Sequence, residues 1–449
     1  MIRTSKLLVA AGLATLCLVF ALTRHPIIQQ PLGTAPKQLW RPAQHDSTSQ
    51  QQVITAKEEK FITFNPHSGL HNQRLALINA LVLAKALDRT LLLPQLNLGK
   101  GVYWWPSPIL SKKLSDCPGV PVTERTKLCH NEYRKYIPVP VSTVFDLDFA
   151  DSTGIRTIQR QNMALDYYQT YFALGNDSDV YRVDDKDRFS YRIYENANSS
   201  EPLGKYKVKL DLDNLRNRPE TFLEFNSLFG TPRLVLERDG ALHRLRDWIS
   251  YEMGFGHPVV LNQALAVVGQ LGGPGAFVSV HLRTGDGVFR ATRAATMDKV
   301  RQTLEQHNSQ VRHHHSAEDM AIEEITRLAK EGEISQALHA CLDIQSPEVH
   351  PRLRMVFMAT DAAQPRRTMA EFFDEFACLF TLSDFPDAVA ATVTTGQYDG
   401  VSSYGPLLLP LVDAEVASHG SFFEGTRRST FSKYIQYRNR RFRSYYPTI

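Results

Sequence analysis

The sequence predicts an α/β fold of two facing, doubly wound, Rossmann-like domains behind an N-terminal anchor and stem, and three observations carry that prediction. Near the start, an apolar run (Phe61–Phe64), a turn containing Gly69, an amphipathic stretch (72–87) and a second apolar run (Thr90–Leu93) read as one βαβ unit. The same alternation of strand and helix signals resumes at Gly275. The 449 residues, 43% hydrophobic and 22% charged, suffice for two domains of about 200 residues and are too apolar for a disordered chain.

Taken in order, Arg3 and Lys6 precede an apolar run over 7–22, which Arg24 and His25 close. At about 16 residues the run is short for a membrane span and slightly long for a cleavable signal core. Cations ahead of it favour a cytosolic N-terminus. The expectation is a retained type II anchor in the Golgi or endoplasmic reticulum membrane with the rest of the chain in the lumen, and a cleaved signal peptide is the alternative. Residues from 25 to 58 are rich in Gln, Pro, Ser and Thr and read as a stem, so residues 1–58 are tail, anchor and stem. An N-terminal α/β domain follows over 59–236 and a C-terminal one over 237–449. Between 100 and 235 the reading is of long loops decorating the first domain. In the second, a strand over 276–280, a helix over 290–306, and a helix from Ser316 towards Ala340 opened by a capping-box spacing to Asp319 are expected. A strand over 355–359 and a helix over 366–376 complete the legible part.

Cys17 lies in the apolar run. The other four cysteines form two sequence-local pairs, Cys117 with Cys129 and Cys341 with Cys378, which suggests two disulfides, one per domain, in an oxidising compartment. Four free thiols are the alternative, and the lack of any C-x-x-C argues against zinc. Asn176 and Asn198 open glycosylation sequons.

In an open parallel sheet, ligands bind outside the carboxyl ends of the strands, and three predicted strand ends carry chemistry. The run "GAFVSVHLRTGD" puts His281 and Arg283 on one side of a sheet edge, with Gly285 to turn the chain and Asp286 to hold the guanidinium. The planar, permanently charged fork of Arg matches a pair of phosphate oxygens. A surface Arg283–Asp286 salt bridge is the bland alternative. "VFMATD" ends in Asp361, a carboxylate able to accept two N–H donors from guanine or to cap the next helix. In "SFFEGTRRSTFSKYI", Ser429, Thr430 and Ser432 supply hydroxyls where a helix begins, and helix starts offer unpaired amides to phosphate. Together the three describe a nucleotide-diphosphate site.

The segments "PHSGLHNQRLALINALVLAKALDRTLLLP", "HLRTGD", "ATDA" and "FFEGTRRSTFSKYI", in this order and spacing, resemble the GDP-fucose protein O-fucosyltransferase family. The resemblance implies a GT-B arrangement with the C-terminal domain binding GDP-fucose and the N-terminal domain on the acceptor side. It implies that Arg283 grips the β-phosphate, that His281 and Asp361 read guanine, that Ser429, Thr430 and Phe431 line the diphosphate and fucose pocket, and that the turn from Gly69 to Asn72 approaches the donor. Some relatives use a carboxylate in that turn as general base, whereas here it reads His67-Ser68-Gly69-Leu70-His71-Asn72. Either His71 takes the acceptor proton, or the bond to GDP breaks early and stabilisation of the leaving diphosphate by Arg283 does most of the work.

Two D-x-D patterns, Asp146 with Asp148 and Asp211 with Asp213, fit a metal-bound diphosphate but are common by chance; no metal is expected. The His313 to His315 tract reads as a solvated loop, the Gly272 to Gly275 cluster precedes its strand, and the basic tail from Arg438 to Arg443 reads as a helix end. A net charge of +4 demands no nucleic acid. The reading is therefore an anchored, luminal fucosyltransferase acting on a Ser or Thr hydroxyl of a secretory protein, inverting and metal-independent, with GDP-fucose as donor substrate and no further cofactor. Its rivals are a glycan acceptor, a related deoxyhexose donor, and a silent binding module that keeps the fold.

Overall fold

The computed structural model describes residues 59–118, 128–129, 136–174, 177–285, 287–307, 316–346, 349–396 and 404–445. The expected anchor and stem lie outside them up to residue 58, as do Asn176, Asp286 and the tract His313 to His315. Among the described residues no helix is long and apolar enough to cross a membrane. The described residues form one compact unit.

The first βαβ unit is present: β1 (Phe61–Phe64) pairs in parallel with β2 (Thr90–Leu93), joined by α1 (Leu70–Leu87). Both strands are buried throughout, which is why they read as unbroken apolar runs rather than alternating ones. A short antiparallel pair, β3 (Leu96–Gly99) and β4 (Tyr136–Val139), follows. The region expected as long loops then departs from expectation. β5 (Thr157–Gln159), β6 (Val180–Arg182) and β9 (Phe222–Phe225) complete a five-stranded parallel sheet in the order β5-β2-β1-β9-β6. β7 (Tyr191–Tyr194), β8 (Val208–Asp211) and β10 (Leu234–Val235) form a separate three-stranded parallel sheet. These strands hold two to four residues each, too few to show a periodicity.

The second half is built on a four-stranded parallel sheet, β13-β12-β11-β14, with β11 at Val278–Leu282, β12 at Val356–Thr360, β13 at Leu379–Phe380 and β14 at Phe422–Gly425. β11 runs two residues further than expected, so His281 sits inside the ladder opposite Ala359 and Gly425. The single helix expected from Ser316 is two, Ser316–Glu331 and Ile334–Asp343. Gly332, at φ 87°, ends the first, and the Glu333 amide bonds back to Leu328 O at 2.9 Å, a Schellman-type stop. The helix expected over 366–376 breaks at Met369 into Pro365–Thr368 and Ala370–Glu375. Both expected disulfides are formed, Cys117 with Cys129 and Cys341 with Cys378.

The halves meet along a polar seam that fixes the site. Two helices of the second half, α2 (Leu409–Ser418) and α3 (Thr430–Tyr445), take part with α1. The buried Arg74 of α1 donates to Ser250 O at 2.7 Å and Met253 O at 2.8 Å, filling the carbonyl end of the helix Ala241–Glu252, and lies 5.1 Å over the Tyr434 ring. Burial lowers its pKa to about 10, so it stays charged at neutral pH. Tyr434 in turn donates to the buried Glu415, which pairs with Arg438 at 3.0 Å. The seam brings the N-termini of α1 and α3 together: Thr430 Oγ1 donates to Asn72 Oδ1 at 2.8 Å.

Candidate active site

The carboxyl edge of the second sheet holds a cleft of about 540 Å³, lined among others by His281, Arg283, Asp361, Asp413 and Phe431, and by Gly99 from the first half. The chain reaches it because β11 and β14 end side by side. The Thr426 hydroxyl donates to His281 O at 2.9 Å and accepts from the Arg283 amide at 3.0 Å, which pins the Arg283 backbone to the approach of α3. Gly425 is required there: a Cβ would stand 2.7 Å from the Ser432 Cβ, so only glycine lets α3 start so close to the sheet.

His281 is buried, its Nδ1 2.6 Å from Ser432 Oγ and its ring 4.6 Å from Phe431. Burial, with Arg283 adding and Asp361 opposing, lowers its pKa to about 3, so it is a neutral imidazole. The half-buried Arg283 side chain lies 4.7 Å from the Phe289 ring. Asp361 spends both oxygens on the loop beyond Arg283: Oδ1 accepts from the Thr284 amide at 2.6 Å and hydroxyl at 3.0 Å, and Oδ2 from the Gly285 amide at 3.1 Å. It holds the arginine loop in place while remaining exposed at the cleft.

The cleft holds a second carboxylate, which the sequence reading passed over. Asp413, on α2, is 8% exposed and lines the cleft. Its Oδ2 accepts from the Thr360 amide at 3.1 Å while Oδ1 has no hydrogen-bond partner. Burial pushes its pKa well up, against the pull of that amide. The signal was present: the acids Asp413 and Glu415 inside "LLLPLVDAEVAS", a largely apolar run, are expensive to bury unless paired or used.

Two helix starts face each other beside the cleft. α3 begins behind Arg428, at φ 67°, and Ser429, whose Oγ accepts from the Ser432 amide at 3.3 Å. α1 begins behind Gly69 with no side-chain cap and no acid in its first turn, as α3 also has none. A Cβ on Gly69 would meet nothing within 4 Å, so the glycine is not demanded by packing and leaves open space in front of bare amides. His71 packs 5.0 Å from Phe431 and 5.0 Å from Tyr434, with its Nδ1 buried and unpartnered. Burial, aided by Arg74, His281 and Arg283, lowers its pKa to about 3. His281, Arg283, Asp361, Phe431, Thr430, Asn72, Ser429 and His71 thus belong to one neighbourhood.

The two D-x-D patterns have local duties. Asp148 N donates to Asp146 Oδ1 at 2.8 Å, and Asp211 caps the helix Leu212–Arg216 through the Asn214 amide at 2.8 Å. Among the described residues no group of three or more His, Cys, Asp or Glu is placed to hold a metal ion. Asn198 is exposed on a turn.

No family model matches the chain, and no curated protein matches it. Solved structures similar to it include POFUT1 in complex with GDP, at 15% identity and TM-score 0.39 over 85% of this chain and 94% of that one. POFUT1 in complex with GDP-fucose matches at 14% identity and TM-score 0.39 over 85% and 94%. The fucosyltransferase NodZ from Bradyrhizobium matches at 12% identity and TM-score 0.34 over 84% and 93%. These are distant likenesses.

Proposed function

We propose that this chain is an inverting, metal-independent glycosyltransferase that moves fucose from GDP-fucose to a Ser or Thr hydroxyl of a secretory-pathway protein. The observation that carries the reading is one cleft at a sheet's carboxyl edge, lined by a guanidinium, a buried carboxylate with one unpartnered oxygen and Phe431 of α3, whose start is tied to that of α1 by Thr430 and Asn72. Each suits one part of the donor. The Asp413 carboxylate complements the N1–H and N2–H donors of guanine, with the Nε2 of His281 projecting from a ring held by Ser432. Arg283 and the amides at the start of α3 suit the two phosphates. The open space at Gly69 suits the sugar.

Transfer in this arrangement is driven from the leaving group. The bond from fucose C1 to the β-phosphate oxygen breaks with its electron pair passing to GDP, whose growing charge Arg283 and the helix starts stabilise. The acceptor oxygen bonds C1 from the opposite face and its proton passes to solvent. A histidine whose pKa burial holds at about 3 is a weak base, which favours this route over proton removal by His71. Titrating the full chain with GDP tests the reading: binding with a rise in Tm supports it, and a chain that binds no GDP is the silent module instead.

A further inference from the structure

The carboxyl edge of the five-stranded sheet carries a second polar cluster. Asn65 Nδ2 donates to Asn226 Oδ1 at 3.3 Å, and His67 bridges Ser227 Oγ at 2.7 Å and Ser68 Oγ at 2.9 Å. Asp185, three residues beyond β6, joins this cluster: it is 1% exposed, sits beside Trp104, Asn226 and Ser190, and leaves its Oδ1 without a hydrogen-bond partner. A buried carboxyl with an idle oxygen is costly. Its other oxygen lies 3.5 Å from Trp104 Nε1, and it sits beside Asn226, which donates to Trp105 O at 2.9 Å. The segment so anchored supports the donor-facing turn: the Ser68 amide donates to Val102 O at 2.5 Å, and a Cβ on Gly101 would collide with the Ser68 backbone. Ser68 is held at φ 67°, a left-handed conformation that a serine keeps only with such support.

We propose that Asp185 is a positioning residue for the transfer, fixing the Trp104 segment and, through it, the turn at Ser68 and Gly69 against the donor. The proposal rests on the donor reading above. Burial raises the Asp185 pKa to about 6, with Arg233 pulling it back down. The other titratable neighbour is Tyr191, whose phenol burial pushes up; His67, elsewhere in the cluster, is kept neutral by burial, Arg233 and Arg188. Above that pKa the anion attracts the indole N–H; below it the contact slackens.

The test uses the full chain with D185N and W104F. GDP-fucose hydrolysis, with water as acceptor, is followed from about pH 5 to pH 7.5. Wild-type kcat is expected to rise roughly fivefold to tenfold through an inflection near pH 6. Both variants should stay near the low-pH rate without an inflection, while GDP affinity moves less than about threefold, because Asp413 and Arg283 are untouched. A purely structural role would lower the rate and leave the inflection in place. A second readout needs no substrate: with 5-fluorotryptophan incorporated, the 19F signal that W104F removes should titrate near pH 6 in the wild type and not in D185N. D185N keeping the wild-type rate and inflection, or a Trp104 signal that does not titrate, overturns the proposal. A wild type that binds no GDP overturns the donor reading instead, and the 19F titration still reports on the link between Asp185 and Trp104.

Discussion

The five-stranded and the four-stranded parallel sheets treat their carboxyl edges differently. At the edge of the first, polar groups are turned on one another: Asn65 bonds Asn226, His67 bonds two serines, and Tyr191 donates to Ser227 O at 2.5 Å. At the edge of the second, Asp413 keeps an unpartnered oxygen in a cleft of about 540 Å³ that Arg283 also lines. Both edges obey the rule that sites form outside strand carboxyl ends, and both contain a carboxyl group that burial pushes up, Asp185 and Asp413. The difference is space. Where the edge is packed, polar residues bond one another; where it is open, an oxygen of Asp413 is left without a partner at a cleft.

The comparison breaks most readily at Arg283. Replacing it with Ala should cut fucose transfer by about 1000-fold, roughly 4 kcal/mol of transition-state stabilisation, while Tm changes by less than about 2 °C. Initial rates with GDP-fucose check this, and a fully active variant would move the diphosphate site elsewhere. Asp413→Asn comes next, with GDP affinity expected to fall by about 100-fold and the preference for GDP over ADP to be lost, as read by calorimetry.

Asp413 also carries a sign that can be checked. Its pKa is raised in the free protein, and guanine donors favour the anion, so GDP binding should release a proton and tighten as pH rises through that raised value. Calorimetry in buffers of different ionisation heat measures the release; uptake of a proton would show that the base lies elsewhere.

Much of this site was legible in the sequence because it lies at the ends of apolar strands. "HLRTGD" and "STF" announce themselves by placing costly groups where a buried run stops. Asp413 escaped because nothing in the sequence marks the segment from Leu411 to Ser418 as buried, and the duty of Asp361 on the loop after Arg283 could not be read because sequence does not show which amides a carboxylate meets. The five-stranded sheet was half visible for a related reason. β1 and β2 flank a long helix that betrays them, whereas β5, β6 and β9 are short and are separated by segments without period. What sequence could not supply was the seam from Arg74 to Glu415, which sets one helix start against the other through contacts between distant positions.

Smaller effects sharpen the picture. Gly69→Val should fold with Tm unchanged within about 2 °C, since nothing lies within 4 Å of the new Cβ, yet raise KM for GDP-fucose about tenfold by filling the donor's approach. A rise in KM without loss of stability separates open ligand space from packing, and a destabilised variant would place the turn in the packed class. Smallest of all, a chelator should change the transfer rate by less than about twofold, with Arg283 and the helix starts supplying the charge a metal would otherwise bring. Activity lost to the chelator and restored by manganese would reverse that assignment.

The most direct measurement is a crystal structure of the chain with GDP. The account predicts the diphosphate bonded by the Arg283 guanidinium and the first amides of α3, with the guanine edge on the free oxygen of Asp413. A nucleotide bound away from Arg283, or with its base turned from Asp413, would contradict it.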